Sequence, residues 1–125
     1  MKEILNHLFE GKKLTKEQAK NTLIDIAQLR NCNNSQIASF ITSFLMRSIT
    51  VEELEGFREA LLELCVPVPI SDYGAIDLCG TGGDGKNAFN ISTVTSFVVA
   101  ASGIPVAKHG NYGVSSMCGS SNVLE

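Results

Sequence analysis

The chain has 125 residues, 44% of them hydrophobic, and a formal net charge of −3. That length suits one ordinary globular domain or pieces of two, and the acidic balance carries none of the electrostatic footprint of a nucleic-acid or anionic-membrane binder. The longest apolar run, at residues 97–101, is far short of the roughly 20 residues that span a bilayer, so the composition predicts a soluble, cytoplasmic protein acting on small molecules or on other proteins.

Charge and glycine divide the chain. Residues 1–65 carry 17 of the 23 charged side chains, whereas residues 66–125 carry six of them but nine of the 11 glycines. The first part reads as amphipathic helices. Ile4, Leu5, Leu8 and Phe9 mark a short opening helix that Gly11 ends by adopting the left-handed conformation. Thr15 with Gln18 fits a capping box, and Ala19, Leu23, Ile26, Ala27 and Leu29 then share a face up to Asn31. Ser35 is the expected cap of a third helix, apolar over most of its circumference from Ile37 through Phe40, Ile41 and Phe44 to Ile49, and therefore expected to be buried. Thr50 and Glu53 form a second capping box and start a fourth helix, in which Leu54, Phe57, Leu61, Leu62 and Leu64 oppose Glu55, Arg58, Glu59 and Glu63. Residues 1–65 thus read as a four-helix domain without chemistry of its own. His7 is a polar-face histidine, the charges are a solvated surface, and the apolar third helix is a candidate for dimerisation.

Residues 66–70 contain Pro67 and Pro69 around one valine, which forbids helix and gives an extended hinge. Residues 71–125 read as the start of a parallel-sheet α/β domain. Residues 75–79 form a short strand, residues 91–102 a buried helix closed by Gly103, and residues 104–108 a second strand. Strand, glycine turn, helix and strand make a βαβ unit, whose ligands sit beyond the carboxyl ends of the strands. The loops at 80–90 and 109–122 both fall on that edge.

The first of these loops has neither the dinucleotide fingerprint nor the Gly-Lys-Ser/Thr of a P-loop. It offers Gly80, Gly82, Gly83 and Gly85 as backbone donors, Asp84 as an acceptor, and Asn90, Ser92 and Thr93 at a helix start. Backbone N–H groups turned to one volume, beside the positive end of a helix dipole, cradle phosphate; the set suits a phosphorylated sugar with a metal. A tight turn with an ordinary helix cap is the competing reading of this loop alone. The second loop adds Lys108 at a strand end, able to neutralise phosphate, and His109 and Asn111, able to hydrogen-bond a polar substrate. Gly119 and Ser120 can begin another helix facing an anion. Cys32, Cys65, Cys79 and Cys118 are scattered without a CxxC pair and read as reduced thiols, Cys118 as a buried small side chain, with no zinc site expected.

The residues GTGGD at 80–84, then Asn90, Ser92 and Thr93, then Lys108-His109-Gly110-Asn111 followed by Ser115-Ser116 and Gly119-Ser120, resemble the anthranilate phosphoribosyltransferase family. Members of that family join anthranilate to phosphoribosyl pyrophosphate in tryptophan biosynthesis. The resemblance covers essentially the whole chain and implies a small helical domain hinged to a larger α/β domain, with a homodimer formed through the helices. It implies that Gly80, Thr81, Gly82, Gly83, Asp84, Asn90, Ser92, Thr93, Lys108 and Ser120 hold phosphoribosyl pyrophosphate, that Ser92 helps place Mg²⁺, and that Gly80, His109 and Asn111 line the anthranilate side. Tyr112, where the family usually has arginine, Met117, where it often has lysine, and Ser121-Asn122, in place of Ala-Asp, depart from the pattern, and each change loses a charge. Family members are much longer, and their later segments supply an acidic pair for magnesium and an arginine for the anthranilate carboxylate. The chain is accordingly expected to be an N-terminal portion, inactive alone. A pyrimidine nucleoside phosphorylase, a non-catalytic dimerisation module and a nucleic-acid-binding relative are the alternatives.

Overall fold

The computed structural model describes residues 1–80, 89–113 and 119–125. The chain forms two compact units, Met1–Pro67 and Val68–Glu125. The first holds helices α1 (Lys2–Phe9), α2 (Lys16–Ala27), α3 (Asn34–Leu45) and α4 (Val51–Leu64); the second holds a 3₁₀ turn (Ser71–Tyr73), β1 (Ile76–Asp77), α5 (Ile91–Ala101), β2 (Val106–Ala107) and α6 (Ser120–Leu124).

Helix boundaries in the first unit follow from capping chemistry. Thr15 accepts from the Gln18 N–H while Gln18 Oε1 accepts from the Thr15 N–H, and Thr50 with Glu53 repeats the arrangement. At α3 the cap is Asn33, not Ser35: Asn33 Oδ1 accepts from the Gln36 N–H at 2.9 Å and Gln36 Oε1 accepts from the Asn33 N–H at 3.1 Å. The asparagine wins because only it has a glutamine three positions on to close the box. Gly11, at φ 75°, follows α1. α2 stops at Ala27, short of Asn31, since Leu29 and Asn31 both take positive φ, 53° and 51°, which breaks the helix before the predicted end.

The core joins Leu5 and Leu8 of α1, Leu14, Ala19 of α2 and Phe40 of α3, with Phe44 and Phe57 packed against it. Phe40, Phe44 and Phe57 meet edge-on with centroids 5.1 to 6.1 Å apart, the geometry that places positive ring edges on negative faces. α4 docks through small residues. Gly56 and Ala60 are buried, and a Cβ on Gly56 would lie 2.2 Å from the Lys16 carbonyl oxygen of α2. This close approach also explains a difference from the sequence pattern: the buried side of α4 is Glu53, Gly56 and Ala60, and Leu54, Leu61 and Leu62 stay exposed. α3 likewise buries only Phe40, leaving Ile41 and Leu45 exposed, because within this unit a single stripe of α3 meets the core.

Glu53 is fully buried and almost saturated. It accepts from the Leu14 N–H, the Thr50 N–H and hydroxyl, and both guanidinium nitrogens Nη1 and Nη2 of Arg47. Burial pushes its carboxyl up, but the Arg47 guanidinium and the Leu14 and Thr50 donors outweigh burial and hold it at about 2. The Arg47 guanidinium carbon also lies 4.5 Å from the centre of the Phe44 ring. One carboxylate thereby ties the α1–α2 connection to the α3–α4 connection.

In the second unit β1 and β2 pair in parallel, Ile76 opposite Val106 and Asp77 opposite Ala107. Both strands are shorter than the runs 75–79 and 104–108 that the sequence marks. Gly103, at φ 90°, closes α5. α5 differs from its expected burial: Thr93 and Ser96 are its buried residues, whereas Val94, Phe97 and Val98 are more than half exposed. Two strands among the described residues cover one stripe of such a helix and leave the rest of its apolar surface open.

Candidate functional site: the carboxyl edge of the parallel strands

Parallel pairing puts the carboxyl ends of β1 and β2 side by side, so residues 78–80 and 108–111 leave the sheet along one edge. α5 begins at this edge. Asn90 is its N-cap but makes no side-chain cap; its amide Nδ2 donates instead to the Gly119 carbonyl at 3.4 Å. Ser92 and Thr93 fall in the first turn, where the Thr93 N–H donates to the Asn90 carbonyl at 3.0 Å and the helix dipole presents its positive end. Gly80 packs tightly against that turn, for a Cβ there would sit 3.0 Å from Ser92 Oγ.

Lys108 follows β2 directly and is half-buried. Its Nζ donates to Ser92 Oγ at 3.4 Å and to the His109 carbonyl at 3.3 Å. Both contacts are longer than the 2.7–3.2 Å of a good N–H···O bond, so the ammonium retains most of its capacity to bind an anion. Lys86 and Lys108 are the two cationic residues of Lys or Arg type after residue 65, and Lys108 is the one of them among the described residues. Thr93, which follows Ser92 in α5, is fully buried, and its Oγ1 has no hydrogen-bond partner, which costs about 1–3 kcal/mol.

The second loop folds onto α6 through close contacts. Ser120 Oγ accepts from the Asn111 N–H at 3.0 Å, the Ser121 N–H donates to the Asn111 carbonyl at 3.1 Å, and Asn122 Oδ1 accepts from the Gly119 and Gly113 N–H groups. Glycine is required at 119, where a Cβ would stand 2.3 Å from the Asn111 carbonyl oxygen, and a Cβ on Gly110 would stand 2.6 Å from Ser120 Oγ and displace that hydroxyl. The Asn111 side-chain oxygen accepts from the Tyr112 N–H at 2.9 Å, which turns its amide nitrogen away from its own backbone. Tyr112 donates its hydroxyl to Glu125, and that bond, with partial burial, pushes the phenol up.

His109 is exposed, and its Nδ1 lies 3.3 Å from Asp77 Oδ2. Cys79 joins them: one ligand atom from each of Asp77, Cys79 and His109 lies within 4.8 Å of the others. Asp77 and Cys79 were not among the site residues anticipated from sequence. The signal was in the register, since extending the pair Asp77–Ala107 by two residues sets Cys79 level with His109.

Gly80, Asn90, Ser92, Thr93, Lys108, His109, Asn111 and Ser120 thus lie at two adjoining loop ends and a helix start. Thr81, Gly82, Gly83 and Asp84 lie outside the described residues, as do Ser115, Ser116, Met117 and Cys118. Ser120 is held within its own loop, whereas Lys108, Ser92 and Thr93 form the part of the edge best suited to an anion.

A parallel-strand edge that follows a helical bundle in sequence defines a class that comparison with known proteins supplies by name. Residues 2–65 match the helical bundle domain of a glycosyl transferase family, and residues 72–125 match the a/b domain of a glycosyl transferase family. The chain belongs to this glycosyl transferase family. It is 63% identical over 125 residues to an anthranilate phosphoribosyltransferase of Flavobacterium psychrophilum and 64% identical to one of Flavobacterium johnsoniae, covering the whole of this chain and 38% of each of those proteins. A crystal structure of anthranilate phosphoribosyltransferase from Thermus thermophilus superposes with a TM-score of 0.81 at 30% identity, over 96% of this chain and 36% of that one. The chain therefore spans a little over a third of the length of these relatives. Among the described residues no helix is long and apolar enough to cross a membrane.

Proposed function

We propose that this chain provides the phosphoribosyl pyrophosphate-binding edge of a cytoplasmic anthranilate phosphoribosyltransferase. One observation carries the reading most directly: the loosely held Lys108 ammonium meets Ser92 Oγ in the first turn of α5. Identity above 60% to named anthranilate phosphoribosyltransferases supports the particular substrates.

In this reaction the anthranilate amine nitrogen bonds to the anomeric carbon, the bond from that carbon to pyrophosphate breaks, and the amine loses a proton. Charge builds on the departing pyrophosphate. Lys108, with the Ser92 hydroxyl and the positive end of the α5 dipole, stabilises it, while Gly80 allows the sugar phosphate to approach the helix start. His109 and Asn111, next along the same edge, orient the aromatic acceptor. Mg²⁺ is the proposed cofactor, and its fit is limited in a specific way: Ser92 Oγ offers one neutral oxygen next to a cation. That suits Mg²⁺ already carried on phosphate oxygens and waters, and does not make a protein cage. When bound, the ion neutralises pyrophosphate charge.

The exposed apolar side chains of α3 and α4, Ile41, Leu45, Leu54 and Leu61 among them, support a homodimer formed through the helical unit. Calorimetric titration with phosphoribosyl pyrophosphate and Mg²⁺ tests the central reading. Lys108→Ala is expected to weaken binding at least about tenfold, as loss of a charge-assisted phosphate contact requires; equal binding by parent and variant would falsify the assignment.

A further inference from the structure

The group Asp77, Cys79 and His109 shares His109 with the acceptor side of the proposed site, brings in two side chains that the proposed reaction does not use, and has a donor chemistry different from that of magnesium. We infer that these three side chains form a binding site for a soft divalent cation, of which Zn²⁺ is the representative. A thiolate, an imidazole nitrogen and a carboxylate oxygen are the three donor types zinc takes, whereas magnesium demands oxygen throughout.

Geometry brings them together from both strands. Asp77 ends β1, and Cys79, two residues on, returns to the same side of the extended chain. His109 stands two residues beyond β2, level with Cys79 in the parallel register. Tetrahedral zinc, with ligands at about 2.0–2.3 Å, sets neighbouring donor atoms about 3.3–3.6 Å apart. The Asp77 Oδ2 to His109 Nδ1 separation is already 3.3 Å, and all three donors lie within 4.8 Å. Each residue is exposed, so small side-chain rotations close the remaining gap and the ion enters without any unfolding. Three protein ligands leave a fourth position for water or another small ligand, the pattern of an open zinc site.

The test is titration of the chain with Co²⁺, read by sulfur-to-cobalt charge-transfer absorption, followed by displacement with Zn²⁺. The expected result is one ion per chain with a thiolate band. Cys79→Ser is expected to abolish the band, and His109→Gln to weaken binding at least about tenfold, a direct ligand counting for no less than an outer-shell partner. A chain with Cys32, Cys65 and Cys118 all replaced by serine is expected to keep the band. Absence of a band in the parent, its survival in Cys79→Ser, its loss in the triple-serine chain despite native circular dichroism, or unchanged affinity in His109→Gln would each overturn the site. The readout is metal occupancy, so it is independent of phosphoribosyl transfer.

Discussion

The two units solve opposite problems. Met1–Pro67 buries apolar side chains, caps three helices with reciprocal boxes and holds its single buried carboxylate in a nearly complete set of donors. Val68–Glu125 does the reverse: among its described residues the fully buried large side chain is Thr93, a hydroxyl with no partner, and its phenylalanines are exposed. The difference teaches where binding free energy is available. The first unit leaves Arg47 Nε as its buried polar atom without a partner, inside the Glu53 ion pair, whereas the second holds a loosely bound ammonium beside a helix start, a group with more to gain from a ligand.

The same substitution placed in each unit gives the largest contrast. Phe40→Ala, at a side chain 4% exposed, is expected to cost about 3–5 kcal/mol in denaturant unfolding. Phe97→Ala, at 58% exposure, is expected to cost under about 1 kcal/mol, since most of its transfer free energy is not realised in this chain. Comparable losses at the two positions would erase the distinction between the units.

Glu53→Gln is next, at about 3 kcal/mol, because it strands the Arg47 guanidinium beside a neutral amide. Its pH signature is separate. A carboxyl lowered from 4.5 to about 2 on folding contributes about 3 kcal/mol that is fully present above the unfolded value and is lost as pH falls from about 4.5 towards about 2. Chemical denaturation of the parent across that window is expected to show the decline, and Glu53→Gln to flatten it. Thr50→Ala removes the cap of α4 and one donor to Glu53, for an expected loss of about 1 kcal/mol in the same assay. Lys20→Ala, which breaks a surface pair with Glu63 at 2.9 Å, is the smallest, with an unfolding midpoint expected to be indistinguishable from the parent's in the same assay.

Much of the helical unit was legible from local chemistry. The boxes at Thr15 and Thr50 and the stop at Gly11 need only residues a few positions apart. What was not legible depended on partners distant in sequence: Glu53 is buried because Leu14, 39 positions away, presents an N–H to it, and Leu54 and Leu61 are exposed because Gly56 and Ala60 fit closer to α2. In the second unit the parallel strands and the helix between them followed from the spacing of glycine and apolar runs. The shared position of residues 92 and 108 followed from topology. The approach of Cys79 to His109 did not, because a one-residue change of register would have separated them.

Hydrogen exchange with and without phosphoribosyl pyrophosphate and Mg²⁺ tests most directly the claim that the second unit carries the chemistry and the first the stability. Ligand is expected to slow exchange in the first turn of α5 and at residues 108–111 and to leave α1 to α4 unchanged. Protection centred on residues 1–67, or none at the start of α5, would contradict it.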